Sequence, residues 1–276
     1  MKLGIIGAGN MGGAFYKGLA EKLGHEDLYL CDKHNEKMAA IGAKNFYNEP
    51  GEMLEKVDAV LIAVKPQAFD ELIRQTGAGA LTTKLLISMM AAVPIAKISA
   101  ATDSARVVRI MPNLGVQVGK GVTGWVASNS ATEEDQRYVQ HMLEAVGEAV
   151  QVDDEDGLDR LSVITGCGPA YFFYLTELLT KKARTLGFSE DDARKMAEGT
   201  YIGSAALLAA GAEGANDGAA GAAHASRDAE AWRRAVCSKG GVTERAIATF
   251  EEHGMEKILN AGVDAALKRS DEMKKM

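Results

Sequence analysis

Gly7, Gly9 and Gly12 stand in G-x-G-x-x-G register between a short apolar run and a helical pattern. This spacing serves dinucleotide binding. The first glycine permits a tight turn, the second lets a pyrophosphate approach the backbone, and the third lets helix pack closely on strand. The stretch Gly7, Ala8, Gly9, Asn10, Met11, Gly12 is thus expected to cradle phosphates at a helix N-terminus, where unpaired N–H groups and the helix dipole attract an anion. Asp32 follows twenty residues after Gly12, where an acidic side chain accepts from a ribose 2′-hydroxyl, while its neighbour Lys33 would meet a 2′-phosphate. The pair pulls cofactor preference in opposite directions. Position favours Asp32, at the end of the second apolar run, and with it useful activity with NADH.

A second glycine pair lies near the other end of the chain. Gly240 and Gly241, followed by Val242 and Thr243, immediately precede another helical pattern. They read either as an anion receptor at a helix start or as a plain turn entering a helix capped by Thr243. Between the clusters, Ala63, Val64, Lys65 and Pro66 end the third apolar run, and "RIMPN" (109–113) ends the fifth. Both fall at the carboxyl edge of strands, where dinucleotides lie in open α/β sheets. Lys65, held extended by Pro66, reads either as aiming its ammonium group at the cofactor or the backbone or as an ordinary surface lysine. Asn113, near the expected nicotinamide position, and Ala91, beyond the fourth run, complete the cofactor-lining set.

Holding these residues in place requires a sheet with helices on both faces. Apolar runs at 3–7, 28–31, 59–64, 85–89, 107–111, 121–126 and 149–152 alternate with amphipathic segments, and most lack polar alternation, as buried parallel strands should. Between the last two, Thr132 and Asp135 form a capping-box pattern ahead of an apolar face of Val139, Met142, Leu143 and Val146. After the acidic stretch 153–157 the strand signals stop. The expected architecture is an α/β, Rossmann-type, doubly wound and mostly parallel sheet over 1–156, followed by an all-helical domain over 157–276. The Ala/Gly-biased tract 205–226 is expected to start as helix and continue as a loop or a close helix contact.

Composition narrows the function classes. A hydrophobic content of 47% and a charged content of 25% describe a globular chain, and the formal net charge of −7 opposes binding to nucleic acid or to an acidic membrane. Cys31, Cys167 and Cys237 are dispersed, which suggests neither a disulfide framework nor a zinc site and fits a reducing cytoplasm. No run is long enough to span a bilayer. His25, His34, His141, His224 and His253 lack partner motifs and read as surface residues, so a histidine–carboxylate catalytic pair is not expected.

In order and spacing, "GAGNMG", "AVKPQ", "RIMPN", "TGCGPAYFFYLTEL" and "SKGGVT" resemble the pyrroline-5-carboxylate reductase family over nearly the whole chain. Where the family carries "SGSGPAY" and "SPGGTT", this chain departs at Cys167, Lys239 and Val242, and 227–236 lacks the His-Pro often found there. The resemblance implies reduction of the C=N bond of 1-pyrroline-5-carboxylate to L-proline by NADPH or NADH. It implies that Gly240, Gly241, Val242 and Thr243 receive the substrate carboxylate, with the Thr243 hydroxyl reaching the ring nitrogen. It further implies an interlocked homodimer in which each active site joins one chain's Rossmann half to the partner's helices. The glycine-proline break in "TGCGPAY" is expected to separate two packed helices, with Tyr171, Phe172 and Tyr174 filling the core. One alternative is another two-domain reductase of the β-hydroxyacid dehydrogenase or imine reductase kind. The former carries a lysine about a turn beyond a glycine motif, where this chain has Tyr174 and Glu177. A second alternative is a dinucleotide-sensing protein without turnover.

Overall fold

The computed structural model describes residues 1–213 and 228–274. Within them the chain forms eight strands: β1 (Leu3–Ile6), β2 (Leu28–Cys31), β3 (Phe46–Tyr47), β4 (Ala59–Ile62), β5 (Leu85–Ser88), β6 (Val107–Met111), β7 (Gly121–Ala127) and β8 (Gly147–Gln151). The helices are α1 (Asn10–Leu23), α2 (Asn35–Ile41), α3 (Pro50–Leu54), α4 (Phe69–Thr76), α5 (Ile95–Thr102), α6 (Glu133–Glu144), α7 (Glu155–Thr165), α8 (Gly168–Thr185), α9 (Glu190–Glu213), α10 (Ala229–Val236), α11 (Val242–Glu252) and α12 (Met255–Lys274). The strands make one sheet in the order β3-β2-β1-β4-β5-β6-β7-β8. Only the β6–β7 pair is antiparallel. From β1 the chain winds outward to β2 and β3, then returns to lay β4 on the other side of β1. That reversal opens a crevice at the carboxyl ends of β1 and β4.

Period-two alternation divides the sheet's apolar residues between two cores. Leu3, Ile5, Ala59, Leu61, Leu85, Ile87, Val108 and Ile110 join Phe15, Tyr16 and Leu19 of α1 and Val139, Met142 and Leu143 of α6. The intervening Ile6, Val60, Ile62, Leu86 and Val107 join Met53 and Leu54 of α3, Phe69 and Leu72 of α4, and Ile98 of α5. With both faces covered, β1, β4 and β5 are buried throughout, and burial on this scale contributes roughly 1.5–3 kcal/mol per large side chain. The Thr132 hydroxyl accepts the Asp135 N–H while the Asp135 carboxylate accepts the Thr132 N–H, closing the box that starts α6.

Two compact units result: Met1–Pro169 with the segment from Ala265 onward, and Ala170–Asp264. The change from strands to helices falls near 156, whereas the first unit continues to 169. Helix α7 packs on β7, where a Cβ at Gly124 would meet Leu161 and Leu158 at 2.5 and 2.9 Å. In the second unit the expectation that Phe172 and Tyr174 fill a core is corrected: they are 53% and 60% exposed, and Phe172 stacks on Tyr201 with centroids 5.7 Å apart. Helix α8 is apolar around most of its circumference, so one chain's helices leave part of that surface uncovered. Ile202 and Ile258 are likewise 65% and 70% exposed. Of the Ala/Gly tract, 205–213 lies in α9; the remainder, with His224 and Arg227, lies outside the described residues.

Candidate active site

The first glycine cluster forms the β1–α1 turn. Gly7 has φ +108°, a conformation closed to most side chains, and a Cβ there would fall 2.7 Å from the Ala63 carbonyl oxygen. A Cβ on Gly12 would lie 2.0 Å from the Gly7 oxygen and 3.0 Å from the Ala63 Cβ, so α1 sits directly on the ends of β1 and β4. At Gly9, by contrast, an added Cβ would meet no protein atom within 4 Å. The backbone is therefore open at the position through which a pyrophosphate would approach. Gly9 is also the N-cap of α1, with no side-chain cap and no acidic residue in the first turn, which leaves that helix end unneutralised. Ala8 is buried, Met11 half-buried and Asn10 exposed.

Beside this turn a cavity of about 200 Å³ is lined by Gly7, Asp32, Lys33, Glu49, Val64 and Glu71, among others. The Asp32 carboxylate accepts the Ala8 N–H through Oδ2 at 2.8 Å and the His34 N–H through Oδ1 at 3.0 Å. It thereby joins the glycine turn to the end of β2, and two acceptor sites per oxygen leave it capacity for a ribose hydroxyl. Lys33 is exposed. Glu71, hydrogen-bonded to Arg74, has its carboxyl held below the usual range, so the cavity carries more negative than positive side chains. Burial, reinforced by the Asp32 and Glu49 charges, pushes the Cys31 thiol up to about 12 and leaves it unreactive.

Ala63 and Val64 follow β4 half-buried, Lys65 is extended and exposed, and Pro66 starts a 3-10 turn. Ala91 is exposed beyond β5, next to Ala92, whose φ is +57°. Asn113, half-buried after β6, does more than its sequence position suggested. Its Oδ1 accepts the Gly115 and Val122 N–H groups at 3.1 Å each, and its Nδ2 donates to the Thr165 carbonyl at 3.0 Å. The amide pegs the β6–β7 turn to the end of α7. A further correction concerns His25, which is half-buried with Nδ1 3.1 Å from the hydroxyl of the fully buried Tyr16.

In the second unit, Gly240 has φ +71° and Gly241 is the N-cap of α11. No side chain caps this helix, so Thr243 is not the cap that the alternative reading required. Gly241 donates its N–H to the Ser238 carbonyl at 2.9 Å. The first-turn N–H groups of Val242 and Thr243 are those that a helix cannot pair internally, and both side chains are exposed. The Glu244 carboxylate accepts the Gly240 N–H at 2.6 Å. A carboxylate of the same helix thus rests on the N–H one residue before the N-cap.

Comparison with known proteins identifies the family and the fold. Residues 155–273 match the family model for pyrroline-5-carboxylate reductase dimerisation, and 2–92 match that for NADP oxidoreductase, coenzyme F420-dependent. A pyrroline-5-carboxylate reductase of Haemophilus influenzae is 31% identical, covering 98% of this chain and 97% of its own. Among solved structures, that of a pyrroline-5-carboxylate reductase from Coxiella burnetii is similar with TM-score 0.85 at 24% identity, covering 99% of this chain and 98% of its own. The pyrroline carboxylate reductase of Plasmodium falciparum, solved with NADP bound, is similar with TM-score 0.78 at 24% identity and the same coverage.

Proposed function

The chain belongs to the pyrroline-5-carboxylate reductase family, and from that premise we propose that it reduces 1-pyrroline-5-carboxylate to L-proline with NADPH or NADH. The observation that carries the reading is the coexistence of an α1 N-terminus with no side-chain cap and no first-turn acid behind an open Gly9 with an α11 start at Gly241 that likewise has no side-chain cap. In this reading the Gly7 to Gly12 turn holds the pyrophosphate, Asp32 and Lys33 meet the adenosine ribose, and Ala63 to Pro66, Ala91 and Asn113 line the remainder. When bound, the reduced nicotinamide supplies the hydride.

The Val242 and Thr243 N–H groups hold the substrate carboxylate, while the Thr243 hydroxyl hydrogen-bonds the ring nitrogen. An imine accepts hydride at carbon once its nitrogen is protonated, so alignment and support of one proton suffice. A hydroxyl is a weak acid; Thr243 therefore orients the nitrogen or relays a proton from water. Helix α1 carries no side-chain cap and no acidic residue in its first turn, and the nearby Asp32 carboxylate is held on the Ala8 N–H.

Assembly as a homodimer through the 155–273 region would cover the exposed apolar surface of α8 and α9, including Phe172, Tyr174 and Ile202. No helix among the described residues is long and apolar enough to cross a membrane, and a cytoplasmic location accompanies the reading. The test is to supply the pyrroline and NADH or NADPH, follow nicotinamide absorbance and identify proline. Sedimentation should report at least twice the chain mass. Absence of turnover with both cofactors, despite dinucleotide binding, would favour a sensing role.

A further inference from the structure

Glu155, the first residue of α7, joins three parts of the sheet unit. One oxygen, Oε1, accepts Arg109 Nη1–H at 2.5 Å and the Ile95 N–H at 3.0 Å. Arg109 lies on β6 and is only 3% exposed, with its Nε and Nη2 lacking hydrogen-bond partners among the described residues. Asp159 Oδ1 is 4.0 Å from Nη2, while Asp159 Oδ2 lies 2.6 Å from Lys274 Nζ. Lys274 thus neutralises Asp159, and Glu155 remains the close counter-charge of the buried guanidinium. Removing one partner of a buried pair is costly, so Arg109 fixes where the Glu155 carboxylate stands.

That fixed oxygen reaches the backbone beyond β5. Ile95 opens α5, whose N-cap is Pro94 and which has no side-chain cap of its own. Glu155 caps it from sixty positions along the chain. Immediately before, Ala92 holds φ +57°, a left-handed conformation that is strained for a non-glycine residue and persists only where its surroundings impose it.

We propose, on the reductase reading above, that Glu155 is a positioning residue: anchored by Arg109, it fixes turn 91–95 at the carboxyl end of β5 as a rigid wall for the nicotinamide end of the dinucleotide. The glycine turn anchors the phosphates, so loosening this wall affects alignment more than binding.

The test compares Glu155→Ala, Glu155→Asp and Glu155→Gln in the full-length protein by hydrogen exchange over 91–95 and by steady-state kinetics. Asp keeps the charge beside Arg109 but is one methylene shorter, which preserves folding if the alanine variant does not fold. Gln keeps an acceptor oxygen at the original reach. The expected result is faster exchange over 91–95 in the Ala and Asp variants, with kcat lowered roughly tenfold and dinucleotide KM changed less than about threefold. Gln leaves the Arg109 charge uncompensated and should lower thermal stability, but its acceptor oxygen should retain protection over 91–95 and most of kcat. Asp156→Asn, which removes from the same helix a negative charge facing Lys274, should leave both readouts unchanged. Unchanged exchange in the Asp variant, or changed exchange with unchanged kcat, would overturn the proposal; so would a Gln variant as impaired as Asp. If wild type fails to reduce the pyrroline while exchange responds as described, the reductase reading fails and the Glu155 clamp on the turn stands.

Discussion

The Asp32 carboxylate accepts the Ala8 N–H at 2.8 Å, so the residue placed to meet the adenosine ribose also braces the glycine turn that would hold the pyrophosphate. Asp32→Ser should therefore act twice. It should weaken binding of both dinucleotides by loosening the turn, and it should lower the NADH to NADPH ratio of kcat/KM by about tenfold, through loss of an acceptor for the 2′-hydroxyl and of repulsion toward a 2′-phosphate. Wild type should use NADH effectively, given Glu49 and Glu71 beside the same cavity. Side-by-side kinetics decide this; a strong NADPH preference unchanged by the substitution would show that Lys33 governs the choice.

Glu244 competes with the substrate in the proposed mechanism. Its carboxylate rests on the Gly240 N–H at 2.6 Å and places negative charge beside the N–H groups assigned to another carboxylate. Glu244→Gln keeps a hydrogen-bond acceptor and removes the charge, so KM for the pyrroline should fall about two- to fivefold at low ionic strength and converge with wild type as salt screens the repulsion. An unchanged or higher KM would place substrate elsewhere.

Thr243→Ala should lower kcat/KM by about 10–100-fold, which corresponds to roughly 1.5–3 kcal/mol of transition-state hydrogen bonding. Thr243→Ser should retain more activity, since the hydroxyl remains. A folded alanine variant with wild-type turnover would remove Thr243 from the mechanism.

Asp135 offers a test of the scaffold. Hydrogen bonding to Arg106 first, and then the Thr132 backbone and hydroxyl, hold its carboxyl below the usual range, although burial opposes this. A lowered folded-state pKa means stabilisation that is complete above the ordinary carboxylate range and is lost as pH falls through the lowered value. Asp135→Asn should cost about 1–3 kcal/mol near neutrality and less in acid. Thermal melts at several pH values check it; an equal loss at all pH values would contradict the ionised role.

The legible part of this fold was the part written in local pattern. Apolar runs mark β1, β4, β5 and β6, whose residues the structure divides between two cores, and the Thr132–Asp135 box marks the start of α6. Strand β3 was missed because Phe46 and Tyr47 are too few to form a pattern, and their pairing with Leu30 and Cys31 defines them. The threefold bonding of Asn113 and the Arg109–Glu155 pair join residues far apart in sequence, where spacing carries no signal. His25 looked like a surface residue because its partner, the Tyr16 hydroxyl, comes from the buried face of α1. Phe172 and Tyr174 were read as core because helical periodicity reports an apolar face without telling whether the same chain covers it.

Hydride transfer to the imine carbon is the central claim, and isotope transfer tests it most directly. Reduced dinucleotide carrying deuterium at the transferring nicotinamide position should, with this protein and 1-pyrroline-5-carboxylate, yield L-proline with one deuterium on the former imine carbon and one dinucleotide oxidised per proline formed. Dinucleotide oxidation without labelled proline, or no oxidation by a folded protein that binds the dinucleotide, would contradict the account.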